Sequence, residues 1–443
     1  MKKRTKCPSS SSYRQEVFIM LTLLMGTMII LLLLGFPMMV PLAVGAFATM
    51  MVYFPAVNPS MLVQQIIGGV QPVSLIAVPM FIFAADVMTS GQVAKRLLDF
   101  VVKFVSHKRG GLPIATTTAC TLFGAVSGST QATVVAIGGP LRPLLLKAGY
   151  KSSFSTALII NAAVIALLIP PSVYMIVYGV VAGASVGELF VAGVGPGLLI
   201  WFLFCIYSWF ISGKDLQADA APWSERLLAL RKALLSFTFP VIIFGGIYSG
   251  VFSPTEAAAV SVLYAFILEY FVYKSITLSD VPKIALRTGI VTAIVFVLIA
   301  MGQVFSWTVS FARIPNLILP PLLGADPTIF RILVVLSLAY FLGCMFVDPI
   351  VVIMILTPIF KPAVMASGLD TVLVGTIVTL QAAIGSTTPP FGCNIFTAIA
   401  IFKQRYLDVV KGVFPFIAIM MFVSLLLILF PQIALFLRDM MVQ

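Results

Sequence analysis

Long apolar stretches run from about residue 17 to residue 436, separated by short breaks that are polar or carry glycine and proline. An apolar run of about 18 residues or more can cross a bilayer core of roughly 30 Å as a helix. The spacing predicts spanning helices at 17–35, 37–54, 73–90, 153–187, 189–212, 234–250, 255–272, 288–312, 371–402 and 413–436. Backbone groups in hydrocarbon must be satisfied within the segment, so the spans are helices. The expected fold class is an all-α polytopic membrane protein.

Two further apolar stretches, 112–146 and 328–366, do not read as single spans. The first is flanked by Lys108/Arg109 and by Lys147/Lys151, which places both its ends on one face of the membrane. It reads as a re-entrant helical hairpin or two short spans, with "GAVSGSTQAT" (124–133) at its middle. Non-helical backbone at that depth must be buried in protein or line a cavity. Gly124 and Gly128 also form a small-xxx-small pair, which alone reads as close helix packing. The run Ser127, Gly128, Ser129, Thr130 adds uncharged oxygens and mobile backbone, which suit Na⁺.

A shift of 219 residues aligns the chain's structure breakers. Gly124 meets Gly343, Pro143 meets Pro362, Gly149 meets Gly368 and Pro170-Pro171 meets Pro389-Pro390, without a gap. The same shift pairs Ser129 with Asp348. The charge assignment puts the ends of the first hairpin inside and those of the second outside. That makes the repeats inverted, an architecture of secondary transporters. "IPPSVYMIVYG" and "TTPPFGCNIF" fall mid-span. Proline removes a backbone donor and clashes with the preceding turn, so each pair reads as an unwound loop between half-helices. Freed carbonyls there can coordinate a cation, and half-helix N-termini can face an anion. A single such pair alone would read as a kink.

Composition agrees: 60% of residues are hydrophobic and 9% are charged, which excludes a soluble domain. The net charge of +12 is accounted for by the positive-inside rule. On this topology seventeen Lys and Arg face the cytoplasm, while Arg313, Arg331, Lys361 and Arg438 face the other side. The basic tail, with Lys2, Lys3, Arg4, Lys6 and Arg14, runs against that bias. No basic stripe interleaved with stacking aromatics points to nucleic acid. No GxxxxGK loop is present, so ATP hydrolysis by that route is excluded. The five cysteines are scattered without a CxxC pair, and the four in apolar segments read as packing residues. His107, beside Lys108 and Arg109, reads as interfacial rather than metal-binding. The first apolar run is too long for the core of a cleavable signal peptide. Asp348 is an ionisable residue in an apolar segment and is functional by default. Glu256 follows Pro254 and reads as either a carboxylate at a helix start or a functional group. Asp86 reads as a scaffold residue near a helix end.

"VAKRLLDFVVKFVSHKRG" (92–109) has apolar residues at Val93, Leu97, Val101 and Phe104 among basic ones. That fits a helix lying at the cytoplasmic interface. A second such stretch, 313–327, carries Pro315, Pro320 and Pro321 near the same shift. They read as hinging arms or as ordinary amphipathic loop helices.

From about 17 to 437 the chain resembles the large membrane subunit of TRAP transporters, the tripartite ATP-independent periplasmic carriers of the DctM type. The motifs carrying the resemblance, in order, are "VPMFIFAADVM", "GAVSGSTQATVVAIGGPLRPLLLKAGY", "IPPSVYMIVYG", "GVFSPTEAAAV", "GCMFVDPIVVIMILTPIFKP" and "TTPPFGCNIF". The resemblance implies Na⁺-driven uptake of a small organic acid or zwitterion across the bacterial inner membrane by an elevator mechanism. It implies two partners, a small four-helix membrane subunit and a periplasmic binding protein. Na⁺ is the coupling ion, with no other cofactor. The expected Na⁺ ligands are Ser127, Gly128, Ser129, Gly343, Asp348, Thr387, Thr388 and Pro389. The expected substrate contacts are Thr130, Gln131, Asn161, Pro170, Pro171, Ser172, Pro390 and Asn394. Arg142, Gln131 and Asn161 depart from the family pattern, and the last two bear on substrate choice. The expected organisation is a tail (1–16), scaffold helices with the first arm (17–109) and a first transport part (110–212). A cytoplasmic linker (213–233), scaffold helices with the second arm (234–327) and a second transport part (328–437) follow. A related Na⁺/dicarboxylate carrier that works alone would share these features. An intramembrane enzyme would need a catalytic pair, and the sequence offers neither a second acid beside Asp348 nor a histidine in an apolar segment.

Overall fold

The computed structural model describes residues 10–213, 220–324 and 326–442. Residues 1–9 of the expected tail and 214–219 of the expected linker lie outside it. Among the described residues the regular structure is all helical. The first half holds α1 (Ser10–Leu33), α2 (Met39–Tyr53), α3 (Ser60–Gly69), α4 (Ala77–Ser90) and α5 (Val93–Val105). It continues with α6 (Gly111–Ser127), α7 (Thr130–Lys147), α8 (Ser152–Ala163), α9 (Val173–Ala182) and α10 (Val186–Ile211). The second half holds α11 (Trp223–Tyr248), α12 (Pro254–Phe266), α13 (Val281–Phe311), α14 (Pro315–Leu323), α15 (Ile329–Phe346) and α16 (Pro349–Ala366). It ends with α17 (Thr371–Thr387), α18 (Cys393–Phe402), α19 (Tyr406–Val410), α20 (Phe414–Leu429) and α21 (Gln432–Val442).

Seven of the described helices are long and apolar enough to cross a membrane, or eight if α20 and α21, bent by 59°, count as one span. By that count the protein is a multi-pass membrane protein. The stretches 153–187 and 371–402 are not continuous. Each is two half-helices separated by a turn at the paired prolines, because proline can neither donate to the ladder nor fit beneath the preceding turn. Both Pro-Pro bonds are cis. The first break restarts cleanly: Ser172 caps α9 by accepting from the Met175 N–H at 3.4 Å.

The 219-residue repeat recurs in the elements. α7 and α16 begin 219 residues apart, as do α8 and α17, while α6/α15 and α9/α18 match to within one residue. Gly149 and Gly368, in register, both take a positive φ just past a helix end, the conformation glycine adopts without steric cost. The stretches 92–109 and 313–327 contain the helices α5 and α14. Glu256 resolves to a helix-start carboxylate. It forms a capping box with Ser253, accepting from the Ser253 N–H at 2.7 Å while its own N–H donates to Ser253 Oγ at 3.3 Å. Asp86 accepts from Thr288 Oγ1 at 2.8 Å and pairs with Arg287 at 3.6 Å, tying α4 to the start of α13.

The chain divides into two compact units. One comprises Met1–Pro72, Ala293–Leu336 and Ile350–Leu369. Within it, Gly302 lies against Met354 and Phe54 meets Phe311 edge-on at 5.1 Å. The other comprises Val73–Thr292, Ser337–Pro349 and Asp370–Gln443. Its centre is formed by the first half-helices: Ala157–Ile169 and Val372–Thr388 are buried along their whole length. A helix that is apolar all round needs such an environment. Backbones approach closely here. A Cβ on Gly193 would lie 2.2 Å from the Leu168 carbonyl oxygen.

Candidate functional site

The second unit holds the polar residues that the sequence singles out. α6 and α7 form the first helical hairpin, turning at Gly128, whose φ is +60°. A Cβ on Gly128 would come within 2.4 Å of the Pro171 carbonyl oxygen, so the hairpin tip sits on the first proline loop. Gly124 faces Ala166 at the same closeness, its hypothetical Cβ 2.6 Å from the alanine methyl. Of the pair, Gly124 packs closely and Gly128 makes the turn. The contact recurs in the second half, where a Cβ on Gly385 would lie 2.4 Å from Cβ of Cys344. Ala166 and Gly385 are in register. Phe346, at the end of α15, meets Phe391 of the second proline loop with ring centroids 5.9 Å apart.

At the first tip the hydroxyls form a dense cluster. Ser129 caps α7, accepting from the Ala132 N–H at 3.3 Å. Ser127 Oγ lies 3.2 Å from Thr133 Oγ1 and donates to the Ser129 carbonyl at 3.3 Å. Thr133 Oγ1 donates to that carbonyl at 2.8 Å. The tip is joined to the opposite half of the chain. Thr130 Oγ1 donates to Asn394 Oδ1 at 2.8 Å, and Gln131 Nε2 lies 3.6 Å from Cys393 Sγ. Asn394 is fully buried, and its Nδ2 has no hydrogen-bond partner. A buried donor in that state is costly unless a ligand completes it.

Other expected residues fall as follows. Asp348 stands exposed just before α16, within electrostatic reach of Tyr174, Cys344 and Cys393. Gly343 lies half-buried one residue before Cys344. Thr387 and Thr388 are buried and donate to the Ile384 carbonyl at 3.2 and 2.6 Å. That bond uses the hydroxyl proton and leaves oxygen lone pairs for a cation. Pro170 and Ser172 are buried, Pro389 is half-buried, and Pro390 is exposed with its carbonyl held by Tyr406 OH at 3.0 Å. Asn161 is not joined to the tip by hydrogen bonds: its amide donates to the Ala157 carbonyl of its own helix at 2.8 Å, and its Oδ1 is unpartnered. Arg142 lies away from the tip, donating to Ser152 and Thr156 at the start of α8. His107 faces Arg226 at 3.4 Å. Desolvation, then the Arg226 and Lys108 cations, holds its imidazole below the usual range.

Tyr174 and Cys393 are site residues that sequence reasoning passed over. They occupy the first turns of α9 and α18, 219 residues apart. Their shared repeat register is the signal that would have found them.

The sequence matches the family described as "Tripartite ATP-independent periplasmic transporter, DctM component" over residues 25–433. The chain belongs to this family of TRAP transporter large permeases. It is a transporter subunit for substrate uptake, not an enzyme. Its relatives include an ectoine/5-hydroxyectoine TRAP large permease of Ruegeria pomeroyi, 59% identical, covering 93% of this chain and 97% of that one. An ectoine TRAP large permease of Halomonas elongata is 57% identical, covering 95% and 99%. A C4-dicarboxylate TRAP large permease of Pseudomonas aeruginosa is 37% identical, covering 82% and 85%. The fold of this permease is also similar to the YdaH transporter of Alcanivorax borkumensis, with a TM-score of 0.58 at 14% identity over 84% of this chain and 87% of that one.

Proposed function

We propose that this permease takes up a small zwitterion of the ectoine class, driven by Na⁺ and delivered by a periplasmic binding protein. A separate small four-helix membrane subunit completes the complex. The observation that carries the reading is the Thr130–Asn394 bond with the unpartnered Asn394 Nδ2 beside it. That amide is a donor for one substrate carboxylate oxygen. The residues gathered around it are hydroxyls, an amide, a thiol and, within electrostatic reach of Cys393, the Asp348 carboxylate. A doubly charged dicarboxylate would want fixed cations, which this set lacks; a molecule with one carboxylate and one cation is matched. The higher identity to the ectoine permeases than to the C4-dicarboxylate permease supports the same choice.

Na⁺ is assigned to the hydroxyl and carbonyl oxygens of Ser127, Gly128 and Ser129 in the first half, and of Gly343, Asp348, Thr387, Thr388 and Pro389 in the second. These are hard oxygen donors of the kind alkali cations take. Proton donation by Thr388 to the Ile384 carbonyl leaves its lone pairs for the ion, and Ser127, which accepts from the Ser129 N–H at 3.4 Å, keeps one to offer. The substrate faces Thr130, Gln131, Asn394 and the proline loops. Transport follows an elevator in which the α6–α7 hairpin and the proline-broken helices move as one body past the scaffold helix α4.

The test has two arms. The cognate binding protein is screened by thermal shift against ectoine and C4-dicarboxylates, and a shift with ectoine alone is expected. Uptake is then measured in proteoliposomes holding both membrane subunits and the loaded binding protein. Uptake with Na⁺ and none with choline is expected, while equal rates in the two would remove the coupling ion.

A further inference from the structure

Glu269 is fully buried. It lies in the π-turn Ile267–Val272 that prolongs α12. Its Oε1 accepts from the backbone N–H groups of Gln92 and Val93, both at 3.0 Å, and its Oε2 from Gln92 at 3.0 Å. Ser275 Oγ donates to Oε2. A Cβ on Gly91 would lie 2.1 Å from the Glu269 carboxyl carbon, so this side chain fills the space that a side chain at 91 would need. The turn from α4 into the first arm, α5, is thus wrapped around a carboxylate supplied from 177 residues further along the chain. A helix start leaves N–H groups without partners, and Gln92, the capping residue of α5, offers no side-chain cap. Glu269 provides the acceptor instead.

One turn on, Arg96 lies 3.7 Å from the Tyr273 ring centroid and donates to the Lys232 carbonyl at 3.2 Å. The start of α5 is therefore held by α11 and the end of α12. Its far end is held elsewhere: Arg109 Nε donates to the Ser212 carbonyl at 3.0 Å and its guanidinium covers Trp209, both beside the end of α10. The second arm has no such acceptor in register. The position equivalent to Glu269 is Met50, that of Gly91 is Ser310, and α14 opens on Pro315, which brings no N–H.

We propose that Glu269 is a positioning residue that pins the start of α5 to the scaffold, making the first arm a fixed strut for the transport step. This rests on the elevator reading above. A pinned strut affects how fast the body moves and not how substrate or Na⁺ binds.

Glu269→Gln, Glu269→Ala and Gly91→Ala are made in the full permease and assayed with its small subunit and binding protein. Gln keeps the shape but turns an NH₂ group toward N–H donors. The maximal uptake rate should fall about tenfold in Glu269→Gln, with KM for substrate and half-saturation for Na⁺ within about twofold. Amide hydrogen exchange over 92–96 should accelerate, and Gly91→Ala should give the same pattern. Should Glu269→Ala fail to fold, the Gln and Gly91→Ala variants carry the test, with thermal melts as the check. Unchanged exchange at 92–96 overturns the clamp. Faster exchange with an unchanged maximal rate overturns the strut, as does a loss confined to KM. The elevator is tested separately by crosslinking across α4 and α6. If that crosslink leaves uptake intact while Glu269→Gln still lowers the maximal rate, Glu269 stands as a rate-setting anchor and only the elevator falls.

Discussion

Thr130 is a single hydroxyl joining two halves of a chain. It donates to Asn394 Oδ1 at 2.8 Å in a place where Asn394 is fully buried. Thr130→Val keeps the shape and removes the donor, leaving the Asn394 oxygen only a weak contact from Cys393 Sγ at 3.9 Å and its Nδ2 still without a partner. An unsatisfied buried polar group costs about 1–3 kcal/mol. Substrate KM should therefore rise about tenfold or more, at roughly 1.4 kcal/mol per factor of ten. Thr130→Ser, which restores the hydroxyl, should stay close to wild type. Uptake kinetics at saturating Na⁺ measure both, and equal KM values for Val and wild type would place the substrate away from this bond.

The hairpin α6–α7 and the proline-broken helices act as elements, and glycine sets how near they come. Gly128 combines a φ of +60° with a Pro171 carbonyl 2.4 Å from where a Cβ would stand. Gly128→Ala must strain the turn and lift the tip from the loop. Uptake should drop at least about tenfold, with the thermal midpoint lowered by a few degrees, since positions of stored geometry cost about 1–3 kcal/mol to disturb. Full activity with an unchanged melt would mean that tip and loop need not touch. These breaks were legible in the sequence because proline and glycine act locally, on their own turn. The 219-residue spacing then made each break predict its counterpart. Contacts between distant elements were not legible in the same way. Glu269 drew no notice among "ILEYF", because what it does depends on Gly91 and Gln92, which only folding brings to it. Cys393 read as packing for the same reason. Its partner Gln131 lies 262 residues away.

At the scale of the molecule, the elevator reading requires α6 to move past α4, which it packs against. With the five native cysteines replaced, a cysteine pair across that face should stop uptake when oxidised and restore it on reduction. A verified crosslink that leaves the rate untouched would replace sliding by local opening of the hairpin tips. The bond between Thr130 and Asn394 also bears on how the permease is made. A ribosome delivers the first hairpin to the membrane long before residue 394 exists. Until then Thr130 has no Asn394 to meet, and the hairpin must wait in the bilayer with an unfinished tip. The proposed substrate site is thus among the last things the growing chain completes. A truncation just before α18 leaves the seven long apolar helices in place and Thr130 without Asn394.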